Sequence, residues 1–415
     1  MNEQPLVSIF IPFYNDEKYL SCAIDAVINQ TYQNWELILF NHVSTDNSYK
    51  IAHSYKDPRI KHIDAQTNLG AGSGYNIKIS LPYMNGKYIK LLCADDYMKE
   101  DCLENLVFCL ESNPDKDIVF SDMDYVDDEN KSLHNKWSND IPMSDFVSDE
   151  NITLAKFFHG YSHIAYPAAL IKMEAIKSIQ LDISMVMLFD VSLWIKLLVA
   201  GKKIMFYPHS TINYRIHNNQ MSSRKNIERA VKSGTFELYQ LLDLFYGIKD
   251  INLIKQICPS KYSAMLNDGD EEFIPFCIAY YWASMYPNNN WSHFKDQQST
   301  RELFGATKIY YLLRDENFRE KLKNKFNFGI KEFREIYTWI PSDDLQEEEM
   351  LSHFTFIDHI LKKDVYNLSI FQLFVIALWK ILKSPIKKYI NFQNSIKNAI
   401  SSIIEKIKKK QKYTI

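Results

Sequence analysis

The order of apolar and polar positions divides the chain into two unlike regions. In the first, short β-rich runs alternate with amphipathic stretches. Val7-Ser8-Ile9-Phe10-Ile11-Pro12 is almost continuously apolar, the pattern of a central parallel strand buried on both faces. After a break at Phe13-Tyr14-Asn15-Asp16, the residues Tyr19, Leu20, Ala23, Ile24, Val27 and Ile28 recur at helical spacing. The pattern then predicts a strand over Trp35–Phe40, a helix capped by Ser44-Thr45-Asp46, and a strand over Arg59–Ile63. A helix opened by Gly70, Gly72 and Gly74 follows, then a strand over Tyr88–Ala94 and another over Asp117–Val126. Residues 130–165 are polar and irregular, as expected of loops lining a cleft. Strand character returns at Ala168–Ile171, an apolar helix at Val191–Leu198, and a closing strand at Lys203–Tyr207. Strand alternating with helix at this spacing predicts an α/β domain with a mostly parallel sheet and helices on both faces.

Beyond about residue 225 glycines and strand signals thin out. Leu238–Phe245 and Phe273–Tyr286 predict helices in a second, mainly helical region with an aromatic-rich core and no repeat of fixed period. The boundaries expected are 1–225, 226–365 and 366–415.

Composition changes this picture only at the end of the chain. The 415 residues leave room for two or three domains, and 46% apolar with 24% charged residues excludes global disorder. A net charge of −3 gives no nucleic-acid signature, yet Lys380 to Lys412 holds ten lysines and one acid, Glu405. Ile386, Ile390, Ile396, Ile400, Ile403, Ile404 and Ile407 recur there at roughly helical spacing. Such a basic amphipathic helix fits an anionic membrane surface, or else packs on its own domain with a solvated lysine run. The apolar stretch Leu368–Leu382, broken by Ser369, Gln372 and Lys380, is shorter than the roughly 20 residues a span needs. Met1–Pro5 is polar and Leu6–Ile11 belongs to a strand, so no signal peptide is expected. Six cysteines without a CxxC pair read as free thiols in a reducing compartment. The expected location is therefore cytoplasmic, peripheral at the inner face of the cell membrane.

Candidate chemistry sits at strand ends. Asp95-Asp96 terminates the fourth strand, at the edge where open α/β sheets bind ligands. Adjacent carboxylates repel each other without a cation, and hard oxygens suit Mg²⁺ or Mn²⁺. The other reading is an Asp-Asp cap on the helix starting near Glu100. Gly70-Ala71-Gly72-Ser73-Gly74 has the wrong spacing and position for a dinucleotide fingerprint. It suits either backbone approach to a phosphate or a turn needing positive φ. Asp190 is either a helix N-cap or a carboxylate aimed into the site.

Val7 to Asn15, Asn29-Gln30-Thr31-Tyr32, Glu36-Leu37-Ile38 and Ser44-Thr45-Asp46 together resemble the opening of the family 2 glycosyltransferases. Gly86-Lys87-Tyr88-Ile89 leading to Ala94-Asp95-Asp96 resembles the family's DxD region. Asp190-Val191-Ser192-Leu193-Trp194 resembles its catalytic-base helix, and Tyr214-Arg215-Ile216-His217 the domain's tail. The resemblance covers about residues 5–225, with a loose further likeness around Leu303–Tyr337 to C-terminal segments of bacterial members.

It implies a GT-A fold, Rossmann-like, and inverting, metal-dependent transfer of a sugar from a nucleotide-sugar donor, foremost a UDP-sugar, to a glycan or lipid-linked acceptor. By position it implies Asp190 as general base, and Asp96, Asp95 and His217 as metal ligands for Mg²⁺ or Mn²⁺. It likewise places Pro12, Tyr14, Asn41, His42, Asn76, Asp95 and Arg215 at the donor nucleotide. The chain departs from the pattern at Asn41-His42, where two acids are usual, and at Val43, usually Gly. It departs again at Tyr75 for an Arg, Cys93 for the first acid of the DxD, and Phe189 for a Glu. These departures admit a second reading, a non-catalytic scaffold in a glycan-assembly complex; retention of Asp95, Asp96, Asp190 and His217 favours the enzyme.

Overall fold

The structure, a computed structural model, describes residues 4–68, 73–140, 148–160, 163–185, 187–220, 237–284 and 295–336. Gly70, Gly72 and the lysine-rich C-terminal segment lie outside them. The α/β part runs β1 (Val7–Phe13), α1 (Leu20–Ile28), β2 (Trp35–Asn41), α2 (Ser48–Ser54), β3 (Ile60–Asp64), α3 (Ser73–Ser80), β4 (Tyr88–Leu91), β5 (Tyr97–Met98) and α4 (Cys102–Ser112). It continues β6 (Ile118–Val126), β7 (Ser132–Lys136), α5 (Trp137–Asp140), α6 (Glu150–Phe158), β8 (Ala169–Lys172), α7 (Met173–Lys177), α8 (Phe189–Val199) and β9 (Ile204–Arg215). Helices follow: α9 (237–244), α10 (Ile251–Ile257), α11 (Ile274–Ser284), α12 (Lys295–Arg314), α13 (Glu316–Phe326) and α14 (Ile330–Ile336).

The strands form one mixed sheet, β3-β2-β1-β4-β8-β6-β9-β5, with β7 paired to β6. β1 to β4 are mutually parallel, β8 is inserted antiparallel between β4 and β6, and β9 returns parallel to β6. This is the GT-A arrangement, with a helical region after it. Val7 lies opposite both Trp35 and Tyr88, which brings Phe13 beside Asn41 and aligns the carboxyl ends of the first strands. The two-residue alternation of β1 sends Val7, Ile9, Ile11 and Phe13 to the core shared with α1 and α4. Phe10 faces the other core, where α6, α8 and the later helices pack. There Phe158 stacks on Trp282 with centroids 4.8 Å apart, and buried Arg301 donates to the Phe158 carbonyl at 3.0 Å. Helical and α/β parts thus share a core. Among the described residues no helix is long and apolar enough to cross a membrane.

Three expectations need correction. The last strand does not stop at Tyr207 but runs to Arg215. Pro208 lies opposite the stretch where the β6–β9 register slips, next to Ser121 and Asp122. An irregularity of that kind accommodates a residue without an N–H, so the proline did not end the strand. Residues 130–165 are not irregular throughout, since they contain β7, α5 and α6, the last burying Leu154, Phe157 and Phe158. Finally, β4 ends at Leu91 rather than Ala94, which makes Cys93–Asp96 a turn.

At the opposite edge of the sheet a buried carboxylate joins three segments. Glu36 on β2 accepts from Ser8 Oγ at 2.6 Å, Lys61 Nζ at 2.6 Å and both the backbone and side-chain amides of Asn85. Burial pushes its carboxyl up, but these donors outweigh burial and hold it below the usual range. The neighbouring Gly86 has no room for a side chain, because a Cβ there would lie 2.5 Å from the Ser8 nitrogen. Glu36→Ala should lower unfolding free energy by about 2–3 kcal/mol, read from the midpoint of denaturant unfolding. An unchanged midpoint would remove the carboxylate from the list of what holds β1, β2 and β3 together.

Candidate active site

The turn between β4 and β5 places Asp95 and Asp96 at the carboxyl edge of the sheet. They cap no helix: α4 begins at Cys102 with Asp101 before it. Asp96 is 2% exposed; its Oδ1 accepts the Arg215 N–H at 2.9 Å, while its Oδ2 is buried with no partner. Burial first, then the charge of Asp95, push its carboxyl well above the carboxylate range. His217 reaches Asp95, Nε2 to Oδ2, at 3.1 Å, and its Nδ1 is buried and unpartnered. Cys93, Asp95 and Asp96 bring one sulfur and two carboxylate oxygens within 4.8 Å of one another. A buried carboxylate oxygen without a donor, beside a second carboxylate, is a donor set that fits a divalent cation.

Arg215 braces this turn. Its Nε donates to the Asp95 carbonyl at 2.8 Å and its Nη1 to the Asp127 carbonyl at 3.1 Å, while the guanidinium lies over Tyr19 at 4.8 Å. Tyr19 packs on His217 and donates its hydroxyl to Asp128, which also pairs with Lys18 at 2.5 Å.

Asp190 lies in the first turn of α8, not at its cap. Leu188 is the N-cap and makes no side-chain capping bond. The free N–H groups of Met187 and Leu188 go instead to Glu237 Oε2 at 2.8 and 2.7 Å, a buried carboxylate from α9. Among the described residues, Asp190 Oδ1 accepts its neighbour's N–H, from Val191 at 2.8 Å. Burial pushes its carboxyl up to about 6, Glu237 adding to the effect, although part of the residue still meets solvent. The approach of α3 to this helix explains Gly74, where a Cβ would lie 2.0 Å from the Asp182 carbonyl and 2.6 Å from the Phe189 ring. Close packing, rather than positive φ, requires that glycine.

The charges of both acidic centres bear on Cys93. Burial raises its thiol pKa well above the usual value, and Asp96, Asp95, Asp190 and Asp16 add to the rise in that order. Four carboxylates thus act on one sulfur.

At the carboxyl ends of β1 and β2, Tyr14 is 47% exposed and Pro12 half-buried. Asn41 is buried and engaged, its Oδ1 taking the Ser44 N–H at 2.9 Å and its Nδ2 reaching Asp64 at 3.1 Å. His42, expected at the donor nucleotide, is 3% exposed, and burial lowers its pKa. Asn76 is buried in α3, its Oδ1 without a partner.

Residues 8–179 match the Glycosyl transferase family 2 model. An uncharacterized glycosyltransferase of Rickettsia prowazekii is 32% identical over 245 residues, covering 59% of this chain and 71% of the relative. The chain belongs to glycosyl transferase family 2. A putative teichuronic acid biosynthesis glycosyltransferase of Bacillus subtilis, TuaG, is 27% identical to this family 2 glycosyltransferase over 54% of the chain and 84% of the relative. Residues 1–349 of S. aureus TarS, solved with UDP-GlcNAc, show a TM-score of 0.49 at 15% identity, covering 80% of this chain and 89% of that one.

Two residues of this glycosyltransferase's cleft escaped the sequence reading. Asp16 lies in the loop after β1, its Oδ2 taking the Tyr14 N–H at 2.9 Å. Burial pushes its carboxyl up to about 6 against that bond, with Asp95 and Asp46 adding. The signal was available, since Asp16 follows a central strand as Asp95 does. Glu237 carried none, because only the fold brings α9 to α8.

Val43, where the family usually has Gly, has φ of +61°. A β-branched residue in that region is strained by about 1–3 kcal/mol. Val43→Gly should therefore raise unfolding free energy by about 1 kcal/mol once glycine's own entropy is set against the relief. Denaturant unfolding of the two proteins checks this, and a destabilised variant would contradict the strain.

Proposed function

We propose that this glycosyltransferase is inverting and metal-dependent, moving a sugar from a nucleotide-sugar donor, foremost a UDP-sugar, to a hydroxyl of a glycan or lipid-linked acceptor. The observation that carries the reading is the grouping of Asp95, Asp96 and Cys93 within 4.8 Å with Asp96 Oδ2 buried and unpartnered, in a site where the charge of Asp190 also bears on the Cys93 thiol. Asp190, Oδ1 held by its own helix turn, takes the proton of the acceptor hydroxyl as that oxygen attacks the anomeric carbon. The bond from that carbon to the diphosphate breaks, its electrons staying on the leaving oxygen, and a single displacement inverts the centre. Asp96 and Asp95, with His217 beside them, would hold Mg²⁺ or Mn²⁺, which when bound supplies positive charge to the leaving diphosphate. Arg215 spends its hydrogen bonds on carbonyls, so its contribution to the donor is charge and the placement of Asp96. Tyr14 offers an exposed ring for the base, Pro12 and His42 wall that end, and Asn41 with Asp64 and Asn76 offer polar contacts.

The TuaG likeness supports a polysaccharide-type acceptor. The ten lysines between Lys380 and Lys412 support a peripheral site at the cytoplasmic face of the membrane, by attraction of roughly 1 kcal/mol per basic residue near anionic lipid.

Asp190→Asn should reduce transfer by about 100-fold or more, with circular dichroism unchanged. In the parent enzyme kcat/KM should fall as pH drops below about 6, where Asp190 takes up its proton. The folded-state pKa stands above the unfolded value of 3.8, so the native protein loses stability as pH rises through that window. The uncharged Asn escapes this loss, so the variant should be more stable than the parent at pH 8 by on the order of 1 kcal/mol, and not at pH 4, the shift being discounted for solvent contact. Full activity in Asp190→Asn would refute its role as the base.

Removal of the residues after Pro385 should release the protein from vesicles containing anionic lipid while sparing neutral ones. Undiminished sedimentation of the truncated protein with anionic vesicles would rule the segment out as the anchor.

A further inference from the structure

We propose that Cys93 turns the cation site into a mixed sulfur–oxygen one, taking a thiophilic divalent ion such as Co²⁺, Zn²⁺ or Cd²⁺ on Sγ together with the Asp95 and Asp96 carboxylates, and disfavouring Mg²⁺. The inference rests on the reading that Asp95 and Asp96 hold a divalent ion, and adds which ions they take.

Three observations carry it. The sulfur and the two carboxylate oxygens already lie within 4.8 Å of one another. Zinc–sulfur and zinc–oxygen bonds of about 2.3 and 2.0–2.2 Å put two tetrahedral ligands of one ion about 3.5 Å apart, so side-chain movements of about an ångström close the set. Asp96 Oδ2 is buried and unpartnered, an oxygen aimed at nothing the protein supplies. The Cys93 carbonyl also accepts the Asp96 N–H at 3.3 Å, so the sulfur and both carboxylates belong to one tight turn.

The chemistry of the donors sets the preference. Mg²⁺ demands a near-ideal shell of six oxygens and gains nothing from a sulfur, whereas soft thiolates select later, more polarizable ions. Forming the sulfur–metal bond displaces the thiol proton to solvent, and nothing is oxidised or reduced. No other cysteine belongs to the set among the described residues. Cys22 sits 3.9 Å from an Arg215 nitrogen, Cys102 and Cys109 lie in α4, and Cys258 and Cys277 are buried among the later helices.

The test uses the metal-free full-length protein titrated with Co²⁺, without and with UDP, and followed by near-ultraviolet absorption and calorimetry. The parent should show a sulfur-to-cobalt charge-transfer band saturating at one ion per chain. Cys93→Ser should lose the band and about tenfold or more in Co²⁺ affinity while still binding Mn²⁺, and Cys93→Asp should shift the preference toward Mg²⁺. Calorimetric Co²⁺ binding without the band, or a band that survives in Cys93→Ser, would overturn the assignment of Cys93 and leave the acid-held ion standing. Failure of the parent to bind Co²⁺, Mn²⁺ or Mg²⁺, with UDP present, would bring down the metal-dependent reading itself and this inference with it.

Discussion

Arg215 arrives at the carboxyl edge of the sheet as the last residue of β9, and the site is assembled around it. Its backbone N–H fixes Asp96, its side chain holds the Asp95 carbonyl and the carbonyls after β6, and its face covers Tyr19 at the start of α1. Three stretches remote in sequence thus share one anchor. Because the guanidinium is spent on carbonyl oxygens, its charge is not cancelled by a carboxylate contact. That charge pulls the Asp96 pKa down while burial and Asp95 push it up, and burial prevails. The balance leaves an acid held in place but lacking positive charge, the condition under which a cation and a diphosphate would bind.

The same imbalance extends through the cleft. Asp16 and Asp190 are both pushed up to about 6, chiefly by burial, and neither is neutralised by an ion pair among the described residues. Raised carboxyls crowded around a half-buried thiol do not stabilise a fold. Such groups concentrate where a protein keeps reactive side chains poised, at some expense of stability. The contrast with Glu36 is instructive. That carboxylate is also buried, yet three partners hold its pKa down, because at the opposite edge of the sheet it has only to join strands.

Much of this was legible in the sequence. Apolar runs marked β1, β2 and β6 closely, because strands buried on both faces leave little ambiguity of period. The break after each run pointed to the residues of the cleft. What failed depended on the partner rather than on local pattern. The last strand was expected to stop at Tyr207, because the slip in register that carries it past Pro208 belongs to β6–β9 pairing. Gly74 looked like a turn residue, although its constraint comes from Asp182 and Phe189, over a hundred positions away. Asn41 looked like the loss of an acid, while the register of β2 on β3 brings Asp64 to its side.

The contact between Glu237 and the backbone before α8 has a consequence for how such enzymes diversify. Accessory regions that follow a catalytic domain are often treated as interchangeable modules, free to be exchanged for a new acceptor. Here α9 of that region satisfies the start of the helix carrying Asp190 and adds the charge of Glu237 to the environment of that carboxylate. A chimera joined between β9 and α9 would inherit the sheet and the Asp95–Asp96 turn intact, yet leave two part-buried backbone donors exposed to whatever the new module brings. Exchange of the accessory region is thus tied to the geometry of the base, and compatible replacements are those that carry an acceptor to the same spot.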